Sequence, residues 1–358
     1  MTGRRDGRPI LITGGAGFIG SNLADRLASE GHEVVVYDAL SRPGVDRNLA
    51  WLRDRHGSRV MAIIGDIRDE DEVVRAAADA KAVFHMAAQV AVTTSMVDPR
   101  EDFDINVRGT INLLDAVRTR GEPVPVIFAS TNKVYGDLGD LRFTELADRY
   151  EPDGLIARRG ISEGRSLDFH TPYGCSKGAA DQYVLDYARS FGIPTAVFRM
   201  SCIYGQRQMG TEDQGWVAHF LIRALEGERI TIYGDGKQVR DILDVQDAVN
   251  AYVSALRHID HVHGRVFNLG GGPENAVSLL QLVDEMRRVT ARDVRLRFED
   301  WRPGDQRWYV SDAREARSAL GLPAPRSWRE GVARLGAWLA AERGVELQPE
   351  RRLASAAQ

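Results

Sequence analysis

The sequence predicts an α/β protein, a Rossmann-type doubly wound parallel sheet with a smaller C-terminal α/β substrate domain. Three observations predict this fold. A short apolar run at residues 10–12 precedes a glycine-rich turn. Strand and helix patterns then alternate up to about residue 130, and from about residue 200 this rhythm breaks. We assign residues 8–199 and a returning segment at 240–265 to the first domain, and 200–239 and 266–345 to the second. The polar, Ala/Ser-rich residues 346–358 are predicted to be a disordered tail.

The composition excludes several classes of protein. A net charge of -4 and 43% hydrophobic residues over 358 positions are ordinary for a globular enzyme. There is no basic excess that would indicate nucleic-acid binding, and no apolar run long enough to span a membrane. The polar residues 1–8 do not resemble a secretory signal, and two cysteines, Cys175 and Cys202, cannot form a disulfide framework. We expect a cytoplasmic protein.

The glycine-rich turn predicts a dinucleotide site. Gly14, Gly17 and Gly20 have the spacing GxxGxxG, and a helix is expected to begin near Phe18. Such a turn lets backbone amides and a helix N-terminus approach a pyrophosphate. The second strand, residues 33–37, leads to Asp38, whose carboxylate can accept hydrogen bonds from ribose hydroxyls and would repel a 2′-phosphate. The pattern therefore predicts NAD rather than NADP.

The third and fourth strands extend the predicted cofactor site. Asp66 and Ile67 follow the third strand, residues 60–64. Asp66 either holds the adenine ring or caps the helix expected near residue 69, and both interpretations have equal weight. The fourth strand, residues 82–86, is followed by small residues that leave room for a cofactor.

A helix predicted at residues 104–118 carries Asn106 near its start. This residue is either a surface amide or a brace for the catalytic loop.

A tyrosine and a lysine four residues apart predict the chemistry. The fifth strand, residues 124–129, ends at Ser130 and Thr131, and a later helix carries Tyr173 and Lys177 on one face. The lysine and a cationic nicotinamide would favour the phenolate form of the tyrosine. The tyrosine can then take a proton from a substrate alcohol as hydride leaves the same carbon. Thr131 can hold the substrate oxygen.

Together these motifs resemble the extended short-chain dehydrogenases/reductases that act on nucleotide sugars. The resemblance implies bound NAD, a C-terminal domain that clasps a nucleotide sugar, and Thr131, Tyr173 and Lys177 as the catalytic set. It also implies a homo-oligomer, a dimer or tetramer, because helices 104–118 and 173–190 often pair subunits in this family. Besides Tyr173 and Lys177, the expected cofactor-binding residues are Gly14, Gly17, Phe18, Ile19, Asp38, Ser41, Arg42, Asp66, Ile67, Ala87, Ala88, Gln89, Asn106 and Ser130.

The run at residues 130–136, STNKVYG, narrows the reaction. Dehydratases of this family carry Thr-Asp-Glu here, and its decarboxylases a glutamate just after the Ser/Thr. Neither carboxylate is present, which leaves epimerases and simple oxidoreductases. A non-enzymatic NAD sensor is disfavoured because the catalytic residues are all present.

Other runs indicate one branch of the family. Residues 130–137, 167–183, 213–216 and 236–241, with Ser41 and Arg42, are similar to the branch that inverts C2 of a CDP-hexose. This resemblance implies transient oxidation to a 2-keto sugar and re-reduction on the other face. A 4-epimerase or an oxidoreductase acting on another nucleotide sugar is the alternative.

The predicted substrate site contains two arginines, because guanidinium groups match phosphate geometry. Arg302 lies in a WRPGD run at 301–305, similar to the family segment that contacts the pyrophosphate, although it or Arg240 could be a surface arginine. Cys202 stands where many relatives have an asparagine near the substrate phosphate. The full predicted set is Asn132, Cys202, Gln214, Trp216, Arg240 and Arg302. No metal site is predicted, since no cysteine lies near His258, His261 and His263.

Overall fold

The computed structural model describes residues 7–302 and 304–347. The predictions for residues 1–6, Pro303 and the tail from 348 onward lie outside this part of the chain. The strands are β1 (Ile10–Thr13), β2 (Val34–Asp38), β3 (Val60–Ile64), β4 (Ala82–His85), β5 (Val126–Thr131), β6 (Phe143–Glu145), β7 (Tyr150–Pro152), β8 (Thr195–Met200), β9 (Cys202–Tyr204), β10 (Ile230–Tyr233), β11 (Val239–Asp244), β12 (Arg265–Leu269), β13 (Ala276–Ser278), β14 (Leu296–Glu299) and β15 (Trp308–Tyr309).

The α-helices connect and cover these strands. They are α1 (Phe18–Ser29), α2 (Val45–His56), α3 (Glu70–Ala77), α4 (Val92–Val97), α5 (Pro99–Phe103), α6 (Gly109–Arg118), α7 (Gly154–Arg159), α8 (Thr171–Phe191), α9 (Trp216–Glu226), α10 (Val245–Arg257), α11 (Ile259–Val262), α12 (Leu279–Thr290), α13 (Arg314–Leu320) and α14 (Trp328–Glu342). In the described residues, no helix is both long and apolar enough to cross a membrane.

The central sheet has seven parallel strands in the order β12-β8-β5-β4-β1-β2-β3. Its inner strands are apolar and fully buried, as a sheet covered on both faces requires. Helices α1, α2 and α10 pack on one face, and α3, α6 and α8 on the other. The predicted doubly wound fold is confirmed. The strand order reverses between β1 and β4, so the site is expected at the carboxyl ends of these strands.

A smaller α/β unit follows. Strand β11 pairs with β9, β13 and β15, and β10 pairs with β14. Helices α9, α12 and α14 supply a separate apolar core for this unit.

The structure corrects several predicted boundaries. β12 pairs with β8, Arg265 opposite Ala196, so the boundary placed at residue 266 cuts through a strand of the central sheet. β5 runs to Thr131 instead of ending at 129, because its pairing with β8 continues to Thr131 opposite Met200. Ser130 and Thr131 are therefore strand residues.

One predicted helix has a different local structure. The helix predicted at 104–118 starts earlier, with α5, and passes through a π-helical turn at Asp104–Arg108 before α6. Between β5 and α8, residues 137–170 contain the β6–β7 hairpin and α7.

Candidate active site

A cleft of about 660 Å³ lies at the carboxyl ends of the central strands and extends into the smaller unit. All of the predicted site residues line it apart from Gln89 and Asn106. The predicted cofactor and substrate residues therefore meet in one continuous cavity.

The glycine turn forms a cradle that side chains would fill. Gly14 has φ +67°, and a Cβ there would lie 2.7 Å from the backbone nitrogen of Ala87. A Cβ on Gly20 would lie 2.2 Å from the carbonyl oxygen of Gly14. Gly17 precedes α1 and provides no side-chain cap, so the first amides of the helix are left for another acceptor. This shape and these donors fit the pyrophosphate of a dinucleotide.

The Asp38 carboxylate is hydrogen-bonded to the glycine-rich turn. It accepts hydrogen bonds from the backbone nitrogens of Ala16 at 3.0 Å and Leu40 at 2.9 Å. Burial raises the pKa of Asp38, while these hydrogen bonds act in the opposite direction. The acid thus lies beside the predicted pyrophosphate site, as a ribose contact requires.

Asp66 does not cap the following helix. Asp69 does so instead, accepting a hydrogen bond from the backbone nitrogen of Glu72 at 2.9 Å. Asp66 binds the Arg68 guanidinium through both carboxylate oxygens, which lowers the pKa of Asp66. The capping interpretation is wrong, and the adenine contact stays a prediction.

Asn106 and Gln89 lie behind the cleft wall. The Asn106 side chain accepts from the Gln89 backbone nitrogen at 2.9 Å and donates to Ser176 Oγ at 3.0 Å. Asn106 sits in the π-helical turn, a distortion frequent at functional sites. It is buried, which excludes the surface-amide interpretation, and its contacts match a brace between the β4 loop and α8. The cofactor contact predicted for both residues stays a prediction.

Thr131, Tyr173 and Lys177 share one wall of the cleft. Tyr173 is 9% exposed and lies beside the Thr131 side chain. Burial and the charge of Asp102 raise the pKa of Tyr173 to about 12, while the Thr131 side chain acts in the opposite direction. Lys177 Nζ donates to the Ala129 carbonyl at 2.6 Å, and burial lowers the pKa of Lys177 to about 7. In the protein alone, Tyr173 therefore keeps its proton at neutral pH.

Ser130 turns toward the core although its residue borders the cleft. Its hydroxyl donates to Asp181 at 2.7 Å, and Asp181 forms a buried ion pair with Arg199 at 2.9 Å. These contacts fix the end of β5. The structure supports a positioning role for the Ser130 side chain.

The smaller unit brings the predicted substrate residues into the cleft. Arg240 donates to Asp305 at 2.5 Å, and the indole nitrogen of Trp216 donates to Cys202 Sγ at 3.3 Å. The pKa of the Cys202 thiol is raised by burial.

Two further contacts tie this half of the cleft to its surroundings. Gln214 accepts from Arg42 at 2.5 Å, which joins the predicted substrate half to the predicted cofactor half. Arg302 lies 3.8 Å from the centre of the Tyr233 ring and 3.8 and 3.7 Å from the acids Glu212 and Asp213.

Two residues that line the cleft, Lys133 and Asp305, were not among the predicted site residues. Lys133 Nζ donates to the Gly304 carbonyl at 3.3 Å and Asn132 donates to Gln306 at 3.4 Å. The sequence reasoning used residue 133 only to exclude a carboxylate at that position. A cation two residues after Thr131 was nevertheless a signal that could have identified Lys133 as a site residue. The contact of residue 133 with 304 and 305 has no local signal, because it joins distant segments.

One surface group has the spacing of metal ligands among the residues that the structure describes: Asp137, Asp168 and His170. Its two carboxylates are exposed, and His170 lies 3.1 Å from Asp168. Exposed acidic groups of this kind are common without an ion. The prediction that the protein binds no metal stays a prediction.

A doubly wound sheet whose glycine cradle faces a tyrosine–lysine pair defines a dinucleotide-dependent oxidoreductase site. The model of the NAD dependent epimerase/dehydratase family matches residues 10–270, so the chain belongs to that family. Family membership and the fit of the cradle assign NAD as the cofactor.

Among its relatives, the CDP-paratose 2-epimerase of Salmonella typhi is 44% identical over 336 residues, 92% of this chain and 98% of that protein. Solved structures are similar over nearly the whole chain. The UDP-glucose 4-epimerase of Thermotoga maritima, solved with UDP-glucose, is 30% identical with a TM-score of 0.79 and covers 94% of this chain and 99% of that one. The UDP-glucuronic acid 4-epimerase of Bacillus cereus, solved with UDP-glucuronic acid and NAD, is 27% identical with a TM-score of 0.80 and covers 93% and 99%.

Proposed function

We propose that this protein is an NAD-dependent nucleotide-sugar epimerase that inverts C2 of a CDP-hexose, converting CDP-paratose to CDP-tyvelose or a related pair. The observation that carries the proposal is the similarity to a CDP-paratose 2-epimerase over nearly the full length of both chains. The site agrees with it, because Asn132 and Lys133 stand where elimination or decarboxylation would need an acid.

In this reaction Tyr173 accepts the proton of the C2 hydroxyl. After the 2-keto sugar has rotated within the site, so that its other face is re-reduced, Tyr173 returns the proton to the C2 oxygen. Thr131, which lines the same cleft, holds the same oxygen. A positive charge on Lys177 favours the phenolate form of Tyr173 during the reaction. When bound, NAD supplies the acceptor for the C2 hydride and the source of its return, so the reaction is redox-neutral.

The test is incubation of the purified protein with a panel of nucleotide sugars and no added NAD, followed by NMR of the product. We expect many turnovers, inversion at C2, and retention of deuterium placed at C2. A reaction that stops after one equivalent would indicate an oxidoreductase.

Epimerisation at C4 is the second candidate, favoured by the similarity to structures of UDP-sugar 4-epimerases. In that case deuterium at C4 slows the reaction, and deuterium at C2 has little effect.

We further propose a cytoplasmic homo-oligomer that assembles through α5, α6 and α8. Three aromatic side chains on α5 and α8 are about half exposed, which supports an interface there: Phe103, Tyr183 and Phe191. Light scattering of the purified protein would report a dimer or tetramer.

A further inference from the structure

Lys133 adjoins the catalytic residues on two sides. Its backbone nitrogen donates to Thr131 Oγ1 at 3.2 Å. Its carbonyl oxygen lies against α8, where a Cβ on Gly174 would be 3.4 Å away. The short helical turn Asn132–Tyr135 thus places Lys133 directly between the end of β5 and the residue that follows Tyr173. The side chain lines the same cleft as Tyr173.

The charge around Lys133 is not balanced. Lys133 Nζ lies 4.0 Å from one oxygen of Asp305, and Arg240 donates to that same oxygen at 2.5 Å. The groups that act electrostatically on Lys133 are this carboxylate, Arg240 and the thiol of Cys202. Two cations therefore share one carboxylate. Arg302, the other predicted phosphate ligand, has its own acids. A partly buried pair of cations with one surplus positive charge suits a multiply charged anion such as a diphosphate.

The position of this surplus charge bears on which carbon reacts. In a nucleotide sugar the diphosphate is attached to C1, and C2 is the adjacent ring carbon, whereas C4 lies across the ring. When C4 reacts, the diphosphate is a ring's width from the catalytic tyrosine. When C2 reacts, it must lie beside that tyrosine. Lys133 follows Thr131 by two residues, and its side chain lines the same cleft as Tyr173.

On the basis of the proposed function, we propose that Lys133, together with Arg240, binds the sugar-linked phosphate of the substrate next to Tyr173. This binding places C2 rather than C4 at the reacting position. Lys133 is then a specificity-determining residue, and Asp305 holds the two cations in place.

The test compares the NAD-loaded wild type with Lys133→Met and Lys133→Arg, and with Lys81→Met as the matched control. Lys81 directly precedes β4, at the amino end of the strand and away from the carboxyl ends where the cleft lies, and it does not line the cleft. Calorimetry gives the dissociation constants of CDP, which carries the phosphate to which the sugar is linked, and of CMP, which lacks it. We expect Lys133→Met to weaken CDP binding about 10- to 100-fold, the effect of losing one charge-assisted hydrogen bond, and to leave CMP binding unchanged. Lys133→Arg should restore most of the affinity for CDP.

Equal affinity of wild type and Lys133→Met for CDP, or an equal loss for CDP and CMP, would overturn the phosphate assignment. Bound NAD and the unfolding midpoint are measured for each variant, and Lys133→Gln replaces Lys133→Met if the latter does not fold. The proposed function fails separately, if the wild type does not invert C2. Should the wild type invert C4, the placement of C2 is overturned, while the CDP and CMP constants still decide whether Lys133 binds the phosphate.

Discussion

Replacing Tyr173 by phenylalanine separates its chemical role from its structural role. The ring is 9% exposed, and phenylalanine keeps its packing. Loss of the buried hydroxyl costs at most the contribution of one hydrogen bond, about 0.5–1.5 kcal/mol of folding free energy. Loss of a general acid/base lowers turnover about 10²- to 10⁴-fold, equivalent to about 2.7–5.4 kcal/mol in the barrier. The effect on catalysis should therefore be several times the effect on folding.

The assay is the rate of C2 inversion followed by NMR, with urea unfolding and bound NAD measured on the same preparations. Tyr187→Phe is the control, because Tyr187 lies on the same helix, is 8% exposed and does not line the cleft. It should leave the rate unchanged and, since its hydroxyl donates to Asp115 at 3.1 Å, lower the free energy of unfolding by about 0.5–1.5 kcal/mol. If Tyr173→Phe keeps more than about a tenth of the wild-type rate, where a lost general acid/base predicts far less, Tyr173 does not carry the proton.

Three further outcomes are expected. Asp38→Ala should reduce the preference for NAD over NADP, because it removes the ribose acceptor and the repulsion of a 2′-phosphate; unchanged discrimination in cofactor titrations would show that another residue reads the ribose. Asp181→Asn should lower the free energy of unfolding by about 3–5 kcal/mol, since it leaves the buried Arg199 without its counter-charge. Asp186→Asn, an exposed acid on the same helix, should change it by less than about 0.5 kcal/mol, and similar losses in both variants would contradict the argument. Finally, burial lowers the pKa of Lys177 to about 7 in the folded protein, whereas the ordinary pKa of a lysine is near 10. Between these two pH values, the unfolded chain therefore binds one proton more than the folded protein. Stability should rise with pH by about 1.4 kcal/mol per unit in that window relative to Lys177→Met, and parallel urea-unfolding profiles of the two proteins would refute the shift.

Local sequence patterns were sufficient to predict the elements that form the cofactor half of the cleft. The glycine spacing, the apolar strands and the tyrosine–lysine pair each depend on residues close in sequence, and the structure brings them to one cleft. Strand pairing was not accessible in the same way. Residues 265–269 form a strand, but nothing in that segment indicates that it pairs with β8 in the central sheet.

For the substrate half of the cleft, the sequence predicted which residues take part but not which residues they contact. Arg240 and Arg302 were both candidates for the diphosphate, yet only contacts between distant segments distinguish them. Arg240 shares Asp305 with Lys133, whereas Arg302 stacks on Tyr233 and faces two acids. Likewise, Asn106 was left between a surface amide and a brace, and its bond to Ser176, 70 positions away, decides for the brace.

The frame that joins the two halves is made of strands. Thr131 ends β5, which pairs with β8 up to Met200, and β9 starts two residues later. β9 in turn pairs with β11, the strand that carries Arg240. Thr131, the predicted catalytic threonine, and the candidate phosphate ligand are thus connected through strand pairing, which holds functional groups more precisely than loops do. Since the tyrosine chemistry can act on any alcohol placed beside it, the carbon that reacts depends on how far from Thr131 the diphosphate is held. On such a frame, that distance is changed most simply by exchanging side chains that line the cleft, and Lys133, two residues after Thr131, is one of them.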